Sequence, residues 1–396
     1  MKWTKQGREL AGTEEAIAKE YANKEIYIYG SGIIGERFFY AIQRLTDWTV
    51  KAFIDKYKAG DICQGLDVLS LEEFSRRANA DCLVLIALHD DIGQEVKEGL
   101  SVFLENKRSI CKTYNEFMRH DFPLLMLHQY QKVVVNSLSC IVTERCTLRC
   151  EKCAIMLPYF KNVKKYEAAK IKEEIDLAFS KIDFVGDFTF TGGEPLLNQE
   201  LEEVLGYIAE NYLEQIGSLK IITNGMIEPG KRLLNCMKKY GMYVEISDYT
   251  STNPELKQRV MENYEKYREN GIRTYLLSSA QWVDFGFEAL HHEEDTESSM
   301  EAFFDYCHTN CRGYIDGKIW YCINTRFAEK ALEFAYDESN MLELGKLGNG
   351  IEEKAKIVEF DLGYNARGYL TMCRRCNGGC DINTHYIEVG RQCRNL

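Results

Sequence analysis

Cys146-Thr147-Leu148-Arg149-Cys150-Glu151-Lys152-Cys153 is the stretch on which the reading of this chain turns. Its cysteines are spaced C-x3-C-x2-C. Thiolates are the usual protein ligands of iron–sulfur clusters, and three on one loop can hold three irons of a four-iron cluster while the fourth stays open. The loop follows an apolar run, Val133 to Val142, that reads as a strand. A second apolar run, Phe188 to Phe190, closes in Thr191-Gly192-Gly193-Glu194-Pro195.

Around these motifs strands and helices alternate. Ser137 to Val142, Phe184 to Phe190, Leu219 to Thr223, Tyr243 to Ser247 and Ile272 to Leu277 read as strands. Between them Ala168, Ile171, Ile175, Ala178, Phe179 and Ile182 fall at spacings of three and four, as do Leu201, Val204, Leu205 and Ile208. Repeated βα units imply a parallel sheet, open or closed as a barrel, with ligands at the carboxyl ends of the strands. The cysteine loop, Thr191–Pro195, Thr223-Asn224-Gly225 and Ser247-Asp248-Tyr249 all fall at such ends.

The three-cysteine loop paired with the Gly-Gly-Glu-Pro turn resembles the radical S-adenosylmethionine (SAM) enzymes. The resemblance implies a partial (β/α)6 barrel over 134–305, with Cys146, Cys150 and Cys153 holding a 4Fe–4S cluster whose open iron takes SAM. It implies that Gly192, Gly193 and Glu194 lie by the SAM amino group, and Asn224, Ser247 and Asp248 by its carboxylate or ribose. For Ser247 and Asp248 a strand-end turn role competes. In such enzymes a reduced cluster cleaves SAM to a 5′-deoxyadenosyl radical, which removes a substrate hydrogen; a donor such as flavodoxin or ferredoxin supplies the electron. The family usually has an aromatic residue before the third cysteine, against the adenine. Here it is Lys152, whose alkyl stem is one cover for the base, with Tyr159 another.

Residues 1–112 carry a second motif. Ile26 to Tyr29 leads into Gly30-Ser31-Gly32-Ile33-Ile34-Gly35, then a helical stretch, then a strand from Thr49 to Ile54 that ends in Asp55. This is the context of a Rossmann fingerprint: glycines admit a phosphate, the helix N-terminus stabilises its charge, and the acid accepts from a ribose hydroxyl. The segment resembles the Rossmann-like N-terminal domains of sugar-modifying enzymes in glycan biosynthesis, and Gly30, Gly32, Gly35 and Asp55 are its candidate nucleotide or nucleotide-sugar contacts. The alternative is a scaffold that has lost its ligand. Residues 113–133 read as a linker, a connecting helix and loop in which Pro123 interrupts any helical run.

Residues 306–396 hold Cys307, Cys311, Cys322, Cys373, Cys376, Cys380 and Cys393. Paired close cysteines far apart in sequence are metal-site spacing, for zinc or for a cluster. The Gly317-x4-Cys322 step and Cys373-x2-Cys376 resemble the SPASM and twitch extensions of radical SAM enzymes, which hold auxiliary iron–sulfur clusters. That resemblance points to Cys311, Cys322, Cys373 and Cys376 as ligands, with Cys307, Cys380 and Cys393 as alternates. The full SPASM cysteine pattern is not present.

Composition is that of a globular protein, 45% hydrophobic and 28% charged, with net charge −12. No lysine–arginine block is present, which argues against a nucleic-acid partner. No apolar stretch reaches membrane-span length, and Met1 to Ala11 is unlike a signal peptide, so a cytoplasmic protein is expected. Fifteen cysteines in such a chain point to metal rather than disulfides. The fold class is thus α/β: a Rossmann-like domain, a radical SAM barrel and a cysteine-rich extension. The expected function is a radical SAM oxidoreductase or epimerase acting on a nucleotide-activated or glycan-related sugar, with maturation of a ribosomally made peptide as the alternative. Epimerisation needs a hydrogen donor, for which Cys236 and Cys393 are the candidates.

Overall fold

The structure, a computed structural model, describes residues 4–5, 8–9, 12–78, 81–104, 109–279, 281–307, 312–364, 367–379 and 382–393. Helix α1 (Thr13–Tyr21) leads into β1 (Glu25–Tyr29), α2 (Ile33–Leu45) and β2 (Val50–Ile54). Then come β3 (Ile62–Cys63), β4 (Leu66–Leu69), α3 (Leu71–Arg77), β5 (Cys82–Ile86), α4 (Asp90–Phe103) and β6 (Ile110–Thr113). These strands form one sheet in the order β3-β4-β2-β1-β5-β6, parallel except for β3. Every residue of β5 is buried, as an unbroken apolar run between two parallel neighbours requires. The chain passes from β1 to β2 on one side and later to β5 on the other. The carboxyl end of β1 is therefore the point where the strand order reverses.

Residues 113–133 are not a loose linker. Thr113 and Glu116 form a capping box, a π-helical turn covers Phe117–Asp121, and α5 (Phe122–Tyr130) follows. Pro123 follows the π-helical turn within a helical stretch that runs on from Tyr114 to Tyr130, so it sits where the winding changes from π to α and does not end the helix. Phe122 to Leu127 are all buried, and α5 packs on the strand that follows.

That strand is β7 (Val134–Ile141), followed by α6 (Ala168–Phe179), β8 (Phe184–Thr191), α7 (Leu201–Tyr212), β9 (Ile216–Thr223), α8 (Lys231–Lys239), β10 (Tyr243–Asp248), α9 (Lys257–Glu269) and β11 (Arg273–Ser278). Strands β7 to β11 are parallel neighbours in chain order. The sixth barrel strand expected from sequence does not follow on β11. The next strand, β12 (Gln281–Val283), pairs instead with β16 (Tyr386–Glu388) in a separate antiparallel ribbon. On the far side of β7 the sheet gains β13 (Gly313–Ile315), β14 (Lys318–Trp320) and β15 (Met341–Glu343). Helices α10 (Glu297–Tyr306), α11 (Ile323–Ala331) and α12 (Ile351–Asp361) complete this part.

Helix α2 packs against β8 and β9 near their amino ends. Arg37 pairs with Asp187 at 3.0 Å and donates to Ser218 Oγ at 2.6 Å and Tyr243 Oη at 2.9 Å. Lys220 pairs with Asp187 at 3.0 Å and Glu245 at 2.9 Å. The register places Asp187 beside Ser218 and Lys220 beside Tyr243, so these groups share one face of the sheet. Such a buried ionic set tolerates little rearrangement, because breaking one pair strands a charge away from water.

Candidate active site

The carboxyl ends of β7 to β10 converge on one cavity of about 200 Å³. Cys146, Cys150 and Cys153 line it together with Thr191, Gly192, Gly193, Asn224 and Ser247. Burial pushes the Cys146 thiol up to about 11 and the Cys150 thiol up to about 12. Cys153 also lies above the ordinary thiol range through burial, although the N–H groups of Leu157, Ile155 and Met156 oppose the shift.

The two glycines are there because backbone passes behind them. A Cβ on Gly193 would stand 2.1 Å from the Arg145 carbonyl oxygen, and one on Gly192 2.2 Å from that of Thr143. Gly192 also has φ +148°, which side chains rarely adopt. Gly193 N–H donates to Thr143 O at 3.0 Å, which ties this turn to the residues leading into the cysteine loop.

Glu194 and Asp248 do not line the cavity. Glu194 is fully buried beneath it and accepts from Thr223 Oγ1 at 2.8 Å, Asn224 N at 2.8 Å and Leu196 N at 3.1 Å. Burial raises its pKa against these donors. It positions the Asn224 turn. Asp248 accepts from Thr250 N and Ser278 Oγ, the turn role that competed for it in sequence. Asn224 faces the cavity but is engaged with the cysteine loop, donating to Thr147 Oγ1 at 3.0 Å and Cys146 Sγ at 3.5 Å. Tyr249, in a turn that the sequence placed at this mouth, and Trp282, which sequence reading missed, are the aromatic residues of the lining; their rings meet edge-on at 5.1 Å between centroids. Lys152 and Tyr159, the sequence candidates for covering the adenine, are not part of this lining.

A larger cavity of about 640 Å³ adjoins the first and shares Ala154 and Trp282 with it. Its other walls are Phe285, Val283 and Tyr386, with Ser279, Gln281 and Lys152 as polar members. The Lys152 ammonium is bracketed by Asp284 at 3.1 Å and Glu288 at 2.9 Å, so this rim carries net negative charge.

The glycine loop after β1 lies elsewhere. Its helix, α2, meets β8 at Asp187 in the middle of that strand, whereas Gly192 follows the strand's carboxyl end; at ~3.3 Å per residue Asp187 and Gly192 are roughly 16 Å apart. A Cβ on Gly35 would stand 2.0 Å from Gly30 O, so this glycine seats α2 against the loop. Both oxygens of Asp55 are engaged within the protein: Oδ2 accepts from Ser31 N at 3.0 Å and Ser31 Oγ at 2.9 Å, Oδ1 from Tyr57 N at 2.9 Å and Lys58 N at 3.2 Å. Burial works against the charge, yet these donors hold Asp55 below the usual carboxylate range. The acid expected to meet a ribose thus braces its own loop.

Of the auxiliary-site cysteines, Cys311 and Cys380 lie outside the described residues. Cys322 and Cys373 pack in one apolar cluster with Tyr321. Cys307 Sγ lies 3.4 Å from where a Cβ on Gly379 would stand, in the loop that also carries Cys376. Burial, then the neighbouring Cys322, Cys373 and Cys307, push the Cys376 thiol well up. Among the described residues no three His, Cys, Asp or Glu side chains converge closely enough for a single metal ion. Cys393 sits apart from this group: its N–H donates to Arg149 O at 2.8 Å, on the three-cysteine loop. Cys236 is on α8, beside Glu202 and Glu210 of α7, and lines neither cavity.

Residues 140–279 match the model of the Radical SAM superfamily, and the chain carries a radical SAM domain there. It is 32% identical over 109 residues to a GTP 3′,8-cyclase of Clostridium acetobutylicum, covering 27% of this chain and 32% of that protein. With a GTP 3′,8-cyclase of Aquifex aeolicus it is 31% identical over 123 residues, covering 30% and 37%. The chain thus spans about a third of the length of these curated relatives. Among solved structures, BtrN in complex with AdoMet and 2-DOIA aligns at 17% identity and TM-score 0.42, covering 62% of this chain and 94% of that one. SuiB of Streptococcus suis bound to S-adenosylmethionine aligns at 13% and TM-score 0.30, covering 55% and 44%. Among the described residues no helix is long and apolar enough to cross a membrane.

A radical SAM domain implies a 4Fe–4S cluster and SAM. The residues present fit both: three thiols share one cavity with a glycine turn whose Cβ positions are blocked by backbone, and the cavity opens beyond them. Cys146, Cys150 and Cys153 are the residues that would hold the cluster.

Proposed function

We propose that this protein is a radical SAM oxidoreductase or epimerase that acts on the ring of a nucleotide-activated or glycan-related sugar seated in the 640 Å³ cavity. The observation that carries the reading is the shared wall. Ala154 and Trp282 belong to both cavities, so a ligand in the larger one lies directly beside the cysteine and glycine turns. Trp282, Phe285 and Tyr386 offer flat apolar faces for the CH face of a ring, while Ser279 and Gln281 offer hydrogen bonds to hydroxyls. The negative rim at Lys152, Asp284 and Glu288 disfavours a phosphate there, so the neutral ring enters this cavity and any diphosphate stays outside.

When bound, the cluster at Cys146, Cys150 and Cys153 supplies the electron that cleaves SAM to a 5′-deoxyadenosyl radical, which takes the substrate hydrogen. An auxiliary cluster on Cys322, Cys373 and Cys376, with Cys311 as the fourth ligand and Cys307 competing for that place, would take up the electron released when the substrate is oxidised. The gathering of Cys307, Cys322, Cys373 and Cys376 supports that site. The glycine loop after β1 does not line either cavity, so it supports the sugar reading only for a ligand long enough to reach from one site to the other. A flavodoxin- or ferredoxin-type donor is the expected redox partner. Neither cysteine proposed as hydrogen donor lines the substrate cavity, which favours dehydrogenation over epimerisation.

Peptide maturation is the second reading. Strand β11 is the free edge of the eight-stranded sheet, with Tyr275 43% and Leu277 51% exposed, and an extended peptide could pair along it. The test is anaerobic reconstitution, reduction with SAM, and 5′-deoxyadenosine yield over a panel of nucleotide-sugars and glycan sugars in heavy water. A sugar that raises the yield well above the uncoupled level is expected, with loss of two hydrogens in the product. Cleavage that no sugar stimulates overturns the sugar reading in favour of the peptide.

A further inference from the structure

The segment Gly390–Cys393 runs antiparallel along the three-cysteine loop. Cys150 and Gln392 form the bridge between them, Glu151 N donates to Arg391 O at 2.7 Å, and Cys393 N donates to Arg149 O at 2.8 Å. The ends are fastened as well. Arg391 pairs with Glu151 at 2.6 Å, and Asn253 Nδ2 donates to Gly390 O at 3.0 Å. The segment and the loop it grips are far apart in sequence, so no local spacing announces the contact.

Gln392 is the centre of this contact, and its orientation is fixed by its neighbours. Arg149 N–H points at Oε1 at 2.7 Å and must find an acceptor there. The amide nitrogen then faces Gly390 O at 2.6 Å and Cys150 Sγ at 3.2 Å, and both require a donor. An N–H is thus aimed at a buried sulfur that the site's geometry assigns to the cluster.

We propose that Gln392 is a positioning residue that sets the reduction potential of the cluster on Cys146, Cys150 and Cys153, by donating a hydrogen bond to Cys150 Sγ from the segment Gly390–Cys393. A hydrogen bond to a ligand sulfur stabilises the added negative charge of the reduced cluster, and the low dielectric around a buried sulfur magnifies it. Losing it makes reduction harder. The inference is independent of which substrate the enzyme takes.

The test uses the reconstituted full chain and follows, by EPR in a redox titration, the cluster signal that changes on SAM addition. Gln392→Met removes the donor at nearly constant length. The expected result is a tenfold weaker reduction equilibrium, a shift of 59 mV to more negative potential for one electron. Arg391→Ala loosens the segment without touching the N–H···S bond and is expected to leave the potential in place. Should Gln392→Met not hold its cluster, Gln392→Glu at pH 8.5 keeps the acceptor for Arg149 N and puts a negative charge in place of the donor, so its potential falls further. A Gln392→Met or Gln392→Glu cluster that titrates at the wild-type potential overturns the proposal. So does loss of the cluster from both Gln392 variants, with or without its loss from Arg391→Ala, which would make the contact a clamp that holds the loop and not a control of its potential.

Discussion

Two turns in this molecule begin the same way and end differently. Gly30–Gly35 and Thr191–Pro195 each follow the carboxyl end of a buried parallel strand, and each has an acid close by. At the first, Asp55 is charged and held by three backbone N–H groups and a hydroxyl, from Ser31 in the glycine loop and from Tyr57 and Lys58 in the loop after β2. At the second, Glu194 is buried beneath the turn, its pKa raised, and its oxygens support the neighbouring Thr223–Asn224 turn. The first turn is closed around its acid. The second leaves its upper face to a cavity shared with three cysteines. A glycine-rich loop after a strand is therefore not a site in itself; what matters is whether the polar groups around it are already engaged.

The comparison can be broken most severely at the second turn's partner. Cys150→Ser is expected to abolish both the cluster absorbance and SAM cleavage, measured by iron content and 5′-deoxyadenosine. Next in size is the joint between the two regions. Arg37→Met leaves Lys220 as the cation paired with Asp187, beside the Ser218 and Tyr243 hydroxyls, and is expected to cost about 3 kcal/mol in a denaturant titration. A smaller loss would mean that Lys220 alone neutralises Asp187.

Third, the glycines should separate the two turns. Gly193→Ala forces a methyl to 2.1 Å from a backbone oxygen and is expected to cost about 1–3 kcal/mol along with SAM affinity. Gly32→Ala meets nothing within 4 Å and is expected to leave stability within about 0.5 kcal/mol. A binding screen with nucleotide-sugars on Gly32→Ala then asks whether the first loop still holds a ligand.

The smallest effect is the most diagnostic, because its sign differs between the turns. The folded pKa of Asp55 is depressed, so its stabilisation is present above its unfolded pKa of 3.8 and is lost as pH falls through the folded value. The advantage of wild type over Asp55→Asn should therefore fade in acid. The folded pKa of Glu194 is raised, so its contribution is complete below 4.5 and declines as pH rises through the folded value. The advantage of wild type over Glu194→Gln should therefore shrink as pH rises. Thermal unfolding of both variants from pH 2 to 8 checks the two slopes, that of Asp55 below 3.8 and that of Glu194 above 4.5; parallel slopes would erase the distinction.

Much of the barrel was legible in the residues. The strands read at 184–190, 219–223 and 243–247 coincide with strands of the sheet, since hydrophobic periodicity is a local signal. A connecting helix within 113–133 was legible, but its continuation through Pro123 was not, because proline reads as a breaker and only the fold shows the π-helical turn before it. The fate of β11 was equally hidden. Whether Gln281–Val283 continues the barrel or pairs with Tyr386–Glu388 is decided by a partner far along the chain. The surroundings of Asp55 were hidden for a related reason: its position showed what it could reach, not that Ser31, Tyr57 and Lys58 already donate to it.

By itself, then, the sequence determined what covalent spacing can determine: three thiols on one short loop, glycines where backbone must pass closely, and alternating strands and helices that place those loops at strand ends. Only the tertiary structure decided which groups share a space. Trp282 and Tyr386 meet around one cavity, Arg37 closes on Asp187, and Gln392 reaches Cys150 across 242 positions of chain. Spacing fixes how far a side chain can reach within its own turn. Contacts between distant segments depend on strand register and packing, which no local pattern encodes.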